Sequence, residues 1–122
     1  MSDPDQAVNK YSVEFDLSWL PPNPPQPVRV DTLLSADRDI NPNDIPGLIE
    51  KFNAVAADWE SGAIAWVARR NNVPCLILRA VSDLVAVDNS QAYGDYGYFE
   101  AQCQEIMATF IHHLPGWIEV FQ

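Results

Sequence analysis

AVAADWESGAIAWVARRNNVPCLILRAVSD, residues 54–83, is the stretch of this chain that predicts its fold. Ala54–Ala57 is short and apolar, as in a strand, and after an acidic turn the apolar residues recur at helical intervals. Arginines and asparagines close that helix, and Asn71 or Asn72 can adopt the left-handed conformation that stops it. The run Cys75–Leu78 has no polar alternation, as in a parallel strand covered on both faces. The stretch therefore predicts a strand–helix–strand (βαβ) unit.

Two carboxylates follow the two predicted strands. Glu60 comes just after the first strand and Asp83 just after the second. In an open α/β sheet, ligands bind beyond the carboxyl ends of the strands, so both acids are candidate functional residues on one rim. Ser61 and Gly62 beside Glu60 suit a place where the backbone closely approaches something. The structural alternative is that Glu60 caps the helix and Asp83 caps whatever follows the strand.

Three motifs within the stretch 54–83 resemble those of a known family. They are DWESGAIA at residues 58–65, NVP at 72–74 and RAVSD at 79–83. In this order and separation they resemble the C-terminal signature of the purine and uridine phosphorylase superfamily, and most closely its methylthioadenosine/S-adenosylhomocysteine nucleosidases. The resemblance begins at about Val28. It implies an α/β fold, a three-layer αβα arrangement, of which this chain is similar to the C-terminal half.

The resemblance also implies roles for the two acids. In the family, the acid of the Met-Glu pair grips ribose hydroxyls and the aspartate of the Ser-Asp pair serves the purine, which here are Glu60 and Asp83. Breaking an N-glycosidic bond drives electrons into the base, so an acid that protonates N7 improves the leaving group. An acceptor on the 2′ and 3′ hydroxyls favours the cation-like sugar. Water would be the acceptor in a nucleosidase and phosphate in a phosphorylase.

Four further positions are substrate-binding candidates by the same resemblance. Trp59 replaces the usual methionine and could either cover a sugar face or fill the pocket. Ser82 is placed to orient the neighbouring aspartate, Ile40 falls where the family touches the base, and Asp58 belongs to the first motif. Asp39 stands where a base-stacking aromatic is usual, and a solvated loop is the alternative for this acid.

Three functions follow as hypotheses. The first is purine nucleoside N-glycosidic cleavage in nucleoside metabolism. The second is a catalytically inactive nucleoside-binding or protein-interaction domain, because no glycine-rich loop occurs among the five glycines. The third is a chain that works only when paired with a second copy or a separate N-terminal half. We expect a small-molecule nucleoside as ligand, a homo-oligomer of at least two copies, and no cofactor other than phosphate as the co-substrate of a phosphorylase.

Length and charge bound the domain organisation and the partners. The 122 residues predict a flexible N-terminus over 1–10 and one α/β domain over 11–122, of which 28–122 is phosphorylase/nucleosidase-like. A net charge of −10 disfavours binding to phosphate backbones and anionic membranes, so neither nucleic acid nor membrane is expected as a partner.

Cysteines, histidines and hydropathy add further expectations. Cys75 and Cys103 have no CxxC or His/Cys ligand spacing, and His112 and His113 are adjacent with no third ligand, so no metal site is expected. No signal peptide or apolar run of transmembrane length is present, which predicts a cytoplasmic protein.

The residues before the central stretch predict three elements. Tyr11–Trp19 alternates apolar and polar residues, as in a half-buried strand. The proline-rich stretch 21–27 is a stiff surface connector or a partner-binding motif. Val28–Ala36 is a further strand, and Asn43-Asp44 begins a helix before Ile45-Pro46.

The residues after the central stretch predict a flap and a helix. Residues 84–97, with Tyr93 and Tyr96, lie where the family has a flap over the ligand, and loop aromatics packed on the core are the alternative. An amphipathic helix from Phe99 to Leu114 would cover the sheet and end at Pro115-Gly116, and the apolar tail after it must pack on the domain or on another chain.

Overall fold

The computed structural model describes residues 4–86 and 95–122, which form a partial α/β fold with a small parallel sheet. The α/β class predicted from the sequence is confirmed at this level, and the three-layer arrangement stays a prediction. The elements in chain order are α1 (Pro4–Tyr11), β1 (Thr32–Ser35), a 3₁₀ helix (Pro42–Asp44), α2 (Ile45–Phe52), β2 (Ala54–Asp58), α3 (Ser61–Arg70) and α4 (Tyr96–Val120).

The sheet consists of β1 and β2, which pair in parallel. Two parallel neighbours need a crossover connection, and the 3₁₀ helix with α2 provides it. The helix start predicted at Asn43-Asp44 is confirmed, because these residues belong to the 3₁₀ helix that leads into α2. The Asn41 side chain caps this 3₁₀ helix by accepting a hydrogen bond from the Asn43 amide at 3.0 Å. The register places Ser35 opposite Asp58, so these two residues share the carboxyl end of the sheet.

The helix after β2 begins and ends where the sequence predicts. α3 covers Ser61–Arg70, with both arginines in its last turn. Of the two candidate stop residues, Asn72 takes the left-handed conformation, with φ of 53°. The Val73 amide then donates to the Ala68 carbonyl at 2.9 Å, which satisfies a carbonyl at the helix end.

The second strand predicted for the central stretch does not form. Cys75–Leu78 is half-buried but has no regular structure, and the partner of β2 is the earlier strand β1. Strand geometry requires a neighbouring backbone to accept and donate hydrogen bonds, and Pro74 removes one donor at the start of the run. Among the described residues, β1 and β2 pair only with each other.

The N-terminal region also differs from the prediction. Within the predicted flexible stretch 1–10, the residues from Pro4 onward belong to α1, and the predicted strand Tyr11–Trp19 is wrong. Residues 12–17 are irregular, yet the alternation persists as half-buried Val13 and Phe15 beside exposed Glu14. An extended chain keeps alternating exposure without backbone pairing, so the period of two alone did not establish a strand.

The last helix is longer than predicted at both ends. Asp95 caps α4 by accepting a hydrogen bond from the Tyr98 amide at 2.9 Å, and the helix continues through Pro115 to Val120. The prediction that Pro115-Gly116 ends it is therefore wrong. Four apolar residues along one side of α4 are exposed rather than covered: Met107, Ile111, Leu114 and Ile118.

The chain divides into two compact units. Of the described residues, the first contains 4–16, 31–39 and 47–78, and the second contains 17–30, 40–46, 79–86 and 95–122. The first unit buries Ser61 and Ala65, which are 3% and 5% exposed. The single domain over 11–122 stays a prediction.

The second unit is held together around the end of α4. Trp117 is 5% exposed, and the rings of Trp19 and Phe121 meet edge-on with centroids 5.3 Å apart. A Cβ added to Gly116 would lie 2.9 Å from the Pro25 Cβ, so the proline-rich stretch packs closely on this helix. The apolar tail thus contacts its own chain.

None of the described helices has the length and hydrophobicity that crossing a membrane requires.

Candidate functional site

The turn between β2 and α3 is organised by the carboxylate of Asp58. Its Oδ1 accepts hydrogen bonds from the Ser35 hydroxyl at 2.7 Å and from the Ser61 amide at 3.1 Å. Its Oδ2 accepts a hydrogen bond from the Ser61 hydroxyl. This carboxylate therefore joins the end of β1, the end of β2 and the start of α3.

Gly62 lies where the backbone approaches β1. Its amide donates to the Ser35 hydroxyl at 2.7 Å. A Cβ added to Gly62 would lie 2.9 Å from the Ser35 Cβ, which is closer than real Cβ contacts come. The close approach predicted from the sequence is confirmed, and the group that is approached is a side chain of the neighbouring strand.

Glu60 is the N-cap residue directly before α3, but its side chain makes no capping hydrogen bond. The amides of Ser61 and Gly62 are instead satisfied by the side chains of Asp58 and Ser35. The structural alternative for Glu60, that its carboxylate caps the helix, is therefore wrong. Glu60 is exposed at the carboxyl end of β2.

Trp59 lies between the two acids of the turn and remains 60% exposed. Its indole is therefore not buried in the core of the first unit. The sequence left open whether Trp59 covers a sugar face or fills the pocket. An exposed ring favours coverage of a sugar face. A contact between Trp59 and substrate stays a prediction.

The second unit contains the other predicted site residues. The Ser82 hydroxyl donates to Asp83 Oδ1 at 2.8 Å, and both side chains are half-buried. Ser82 is thus positioned to orient Asp83, as the sequence suggests. These residues lie in an irregular segment after Cys75–Leu78 rather than at the end of a strand. Ile40 is half-buried in the same unit.

The structure brings together some of the predicted residues within one unit. Asp58, Trp59 and Glu60 are consecutive in the β2–α3 turn of the first unit, whereas Ile40, Ser82 and Asp83 belong to the second. The predicted flap covers residues 84–97, of which 87–94 lie outside the described residues. Tyr96 is the exposed first residue of α4.

Ser35 contacts Asp58 and Gly62 in this turn, and the sequence alone did not indicate it. It is the last residue of β1. The signal that could have found it is the parallel pairing of two strands that end in Ser35 and Asp58. A hydroxyl at one strand end and an acid at the next are neighbours once the register is known.

No group of three or more His, Cys, Asp and Glu side chains within 4–86 and 95–122 could hold a metal ion. The His112 and His113 rings are 4.8 Å apart and nearly perpendicular, at 83°. This pair belongs to no group of three or more potential metal ligands in the part of the chain that the structure describes.

A comparison with protein families identifies the fold to which this turn belongs. Residues 32–114 match the family described as the phosphorylase superfamily. This range is more than half of the chain and includes all three motifs. The chain belongs to the phosphorylase superfamily. Its function is accordingly related to nucleosides at the level of the superfamily. No curated protein and no solved structure matches the chain.

The phosphorylase superfamily match starts at β1 and ends within α4. It therefore contains all six residues predicted for the site and leaves out α1, the proline-rich stretch and the end of α4. The particular likeness to methylthioadenosine/S-adenosylhomocysteine nucleosidases stays a prediction, as does the association of copies.

Proposed function

We infer that this chain acts on purine nucleosides and cleaves the N-glycosidic bond, with water favoured over phosphate as the acceptor. The inference starts from membership of the phosphorylase superfamily, which makes nucleoside chemistry the expectation for residues 32–114. It then assigns to Glu60 the ribose and to Asp83 the base, as the two motifs imply.

One observation carries the proposal. The start of α3 is capped by the side chains of Asp58 and Ser35, and the Glu60 side chain makes no capping hydrogen bond. Glu60 is exposed just after β2, at the carboxyl end of a parallel strand. Such ends are where α/β folds bind ligands.

The chemistry assigned to each acid fits its residue type. Glu60 would accept hydrogen bonds from ribose hydroxyls and favour the positive charge that develops on the sugar. Asp83 would donate a proton to N7 of the purine as the glycosidic electrons move into the base. The Ser82 hydroxyl, 2.8 Å from Asp83 Oδ1, supports this role by limiting the rotation of the carboxyl group.

Base release from methylthioadenosine, adenosine and inosine, measured with and without phosphate, tests this function. Release without phosphate indicates a nucleosidase, and release that requires phosphate indicates a phosphorylase. We expect Asp83→Asn to lower kcat at least about 100-fold, because general acid catalysis contributes on that order. Glu60→Gln should raise KM as well, because a neutral amide is a weaker acceptor for the ribose hydroxyls.

Glu119→Gln is the matched control, because it also removes one negative charge and lies at the exposed end of α4, beyond the family match. Its kinetic constants should equal those of the wild type. Unchanged activity in Asp83→Asn would contradict the role of Asp83. If the wild type releases no base, calorimetry with the same nucleosides separates an inactive binding domain, which gives heat, from a chain that binds none.

A further inference from the structure

We propose that Asp58 is a positioning residue that holds Glu60 in place, acting through Ser61 and Ser35. The proposal rests on the proposed function, because it concerns the acid assigned to the ribose. It gives Asp58 a role distinct from direct contact with substrate. All four residues belong to the first compact unit.

The first step is that Asp58 closes a short loop of backbone. Both of its carboxylate oxygens accept hydrogen bonds from Ser61, one from the amide at 3.1 Å and one from the hydroxyl. Trp59 and Glu60 are the two residues enclosed by this loop. Their backbone is thereby held between β2 and α3, and Ile64 donates to the Glu60 carbonyl at 3.1 Å on the other side.

The second step is that the loop is anchored to the neighbouring strand. The Gly62 amide donates to the Ser35 hydroxyl, and that hydroxyl donates to Asp58 Oδ1, each at 2.7 Å. The Ala36 amide also donates to the Asp58 carbonyl at 3.0 Å. The turn that carries Glu60 is therefore tied to β1 by side chain and by backbone.

The third step is that a carboxylate at position 58 matches these contacts with both of its oxygens. Three donors converge on its two oxygens, and an ionised carboxylate is an acceptor without a proton of its own. An asparagine would present an amide N–H₂ to at least one of these donors. A negative charge at the start of α3 is also stabilised by the helix dipole.

The fourth step is that the loop is shielded on its Ser61 side. Ser61 is 3% exposed, so water competes little for the hydrogen bonds that it donates to Asp58. A network anchored on a buried residue restricts the conformations of the residues that it encloses. Glu60 can then project from a rigid turn while its own carboxylate makes no capping bond.

The test is the steady-state kinetics of Asp58→Asn in the full chain with adenosine and methylthioadenosine. Misplacement of Glu60 weakens its contact with ribose, so we expect KM to rise and kcat/KM to fall by about 10- to 100-fold. A merely structural role would lower the folded fraction and therefore the apparent kcat, with KM unchanged. Hydrogen exchange of the Ser61 and Gly62 amides should accelerate in parallel.

Ser35→Ala is the second variant, and it decides the question if Asp58→Asn does not fold. It removes one donor to Asp58 and the acceptor of the Gly62 amide at an exposed position. Ser12→Ala is its matched control, since that hydroxyl also donates one 2.7 Å hydrogen bond in the first unit but lies outside the family match. The control should leave KM unchanged.

The outcomes separate the two proposals. A raised KM in Asp58→Asn or Ser35→Ala, with a normal control, supports the positioning role. A wild type that cleaves nucleosides alongside variants with unchanged KM overturns the positioning role and leaves the proposed function standing. A wild type that neither cleaves nor binds these nucleosides overturns the proposed function and, with it, the role of Asp58.

Discussion

At the scale of single residues, the β2–α3 turn assigns helix capping to one of two acids that are close in sequence. The sequence places two acids, Asp58 and Glu60, one residue apart at the start of a helix. Either could cap it, because both types of carboxylate accept hydrogen bonds from free helix amides. The structure assigns capping to Asp58 through its bonds to Ser61. This division of roles is why Glu60 remains the candidate for binding a ligand.

Ser61 should be a measurable contributor to stability. In Ser61→Ala, an oxygen of the charged Asp58 loses a buried hydrogen-bond donor, and we expect the free energy of unfolding to fall by about 1–3 kcal/mol. Urea denaturation followed by circular dichroism measures this. Ser12→Ala should cost less than about 1 kcal/mol, because its hydroxyl is exposed and water replaces the lost partner. Equal losses in the two variants would contradict the argument.

At the scale of elements, tertiary contacts extend α4 beyond the limit that its sequence predicts. Proline inside a helix removes one backbone hydrogen bond and crowds the preceding turn. The helix nevertheless continues through Pro115 to Val120. The burial of Trp117 and the ring contact between Trp19 and Phe121 supply packing that offsets this cost. Packing of an apolar face commonly outweighs local propensity in a helix of this kind.

Pro115→Ala should therefore stabilise the chain. The proline side chain is exposed, so little packing is lost, while a backbone donor and a better helix former are gained. We expect the free energy of unfolding to rise by about 1–3 kcal/mol, as measured by urea denaturation. Pro46→Ala is the contrast, since Pro46 lies in the first turn of α2, where proline is tolerated. A loss of stability in Pro115→Ala would contradict this account.

At the scale of the whole molecule, the composition establishes a large negative net charge. The chain has 17 acidic and 7 basic residues and a net charge of −10. A net charge far from zero destabilises a compact state through self-repulsion.

The described helices also expose apolar side chains, such as Ile64 and Ile111 at 52% and 65%. An amphipathic pattern identifies such a face but not what covers it.

Salt should stabilise the chain at neutral pH. Raising potassium chloride from about 0.01 M to about 0.1 M shortens the Debye length from about 30 Å to about 10 Å and screens the repulsion among acidic residues. We expect the urea midpoint to increase with salt at pH 7. Near the isoelectric point of about 4.3, the same salt step should have little effect. A midpoint at pH 7 that does not respond to salt would contradict this prediction.

The central stretch shows how far sequence reasoning extends. β2, α3 and the left-handed stop at Asn72 follow from periodicity, from the acidic turn and from the conformational freedom of asparagine. The family was also visible in the two motifs, and the match over residues 32–114 supports it. These features depend on neighbours in the chain, so local rules are sufficient to predict them.

Other features depended on partners that are distant in sequence. Cys75–Leu78 and Tyr11–Trp19 have the patterns of strands, yet neither pairs with a strand within residues 4–86 and 95–122, and a strand forms only where such a neighbour is available. Ser35 became part of the site only because the parallel register places it opposite Asp58. By itself the sequence determined the class of fold, the family and the two candidate acids. Only the tertiary structure decided which of the two acids caps α3 and that Ser35 joins it, because hydrogen bonds across 23 and 27 residues of chain cannot be deduced from local periodicity.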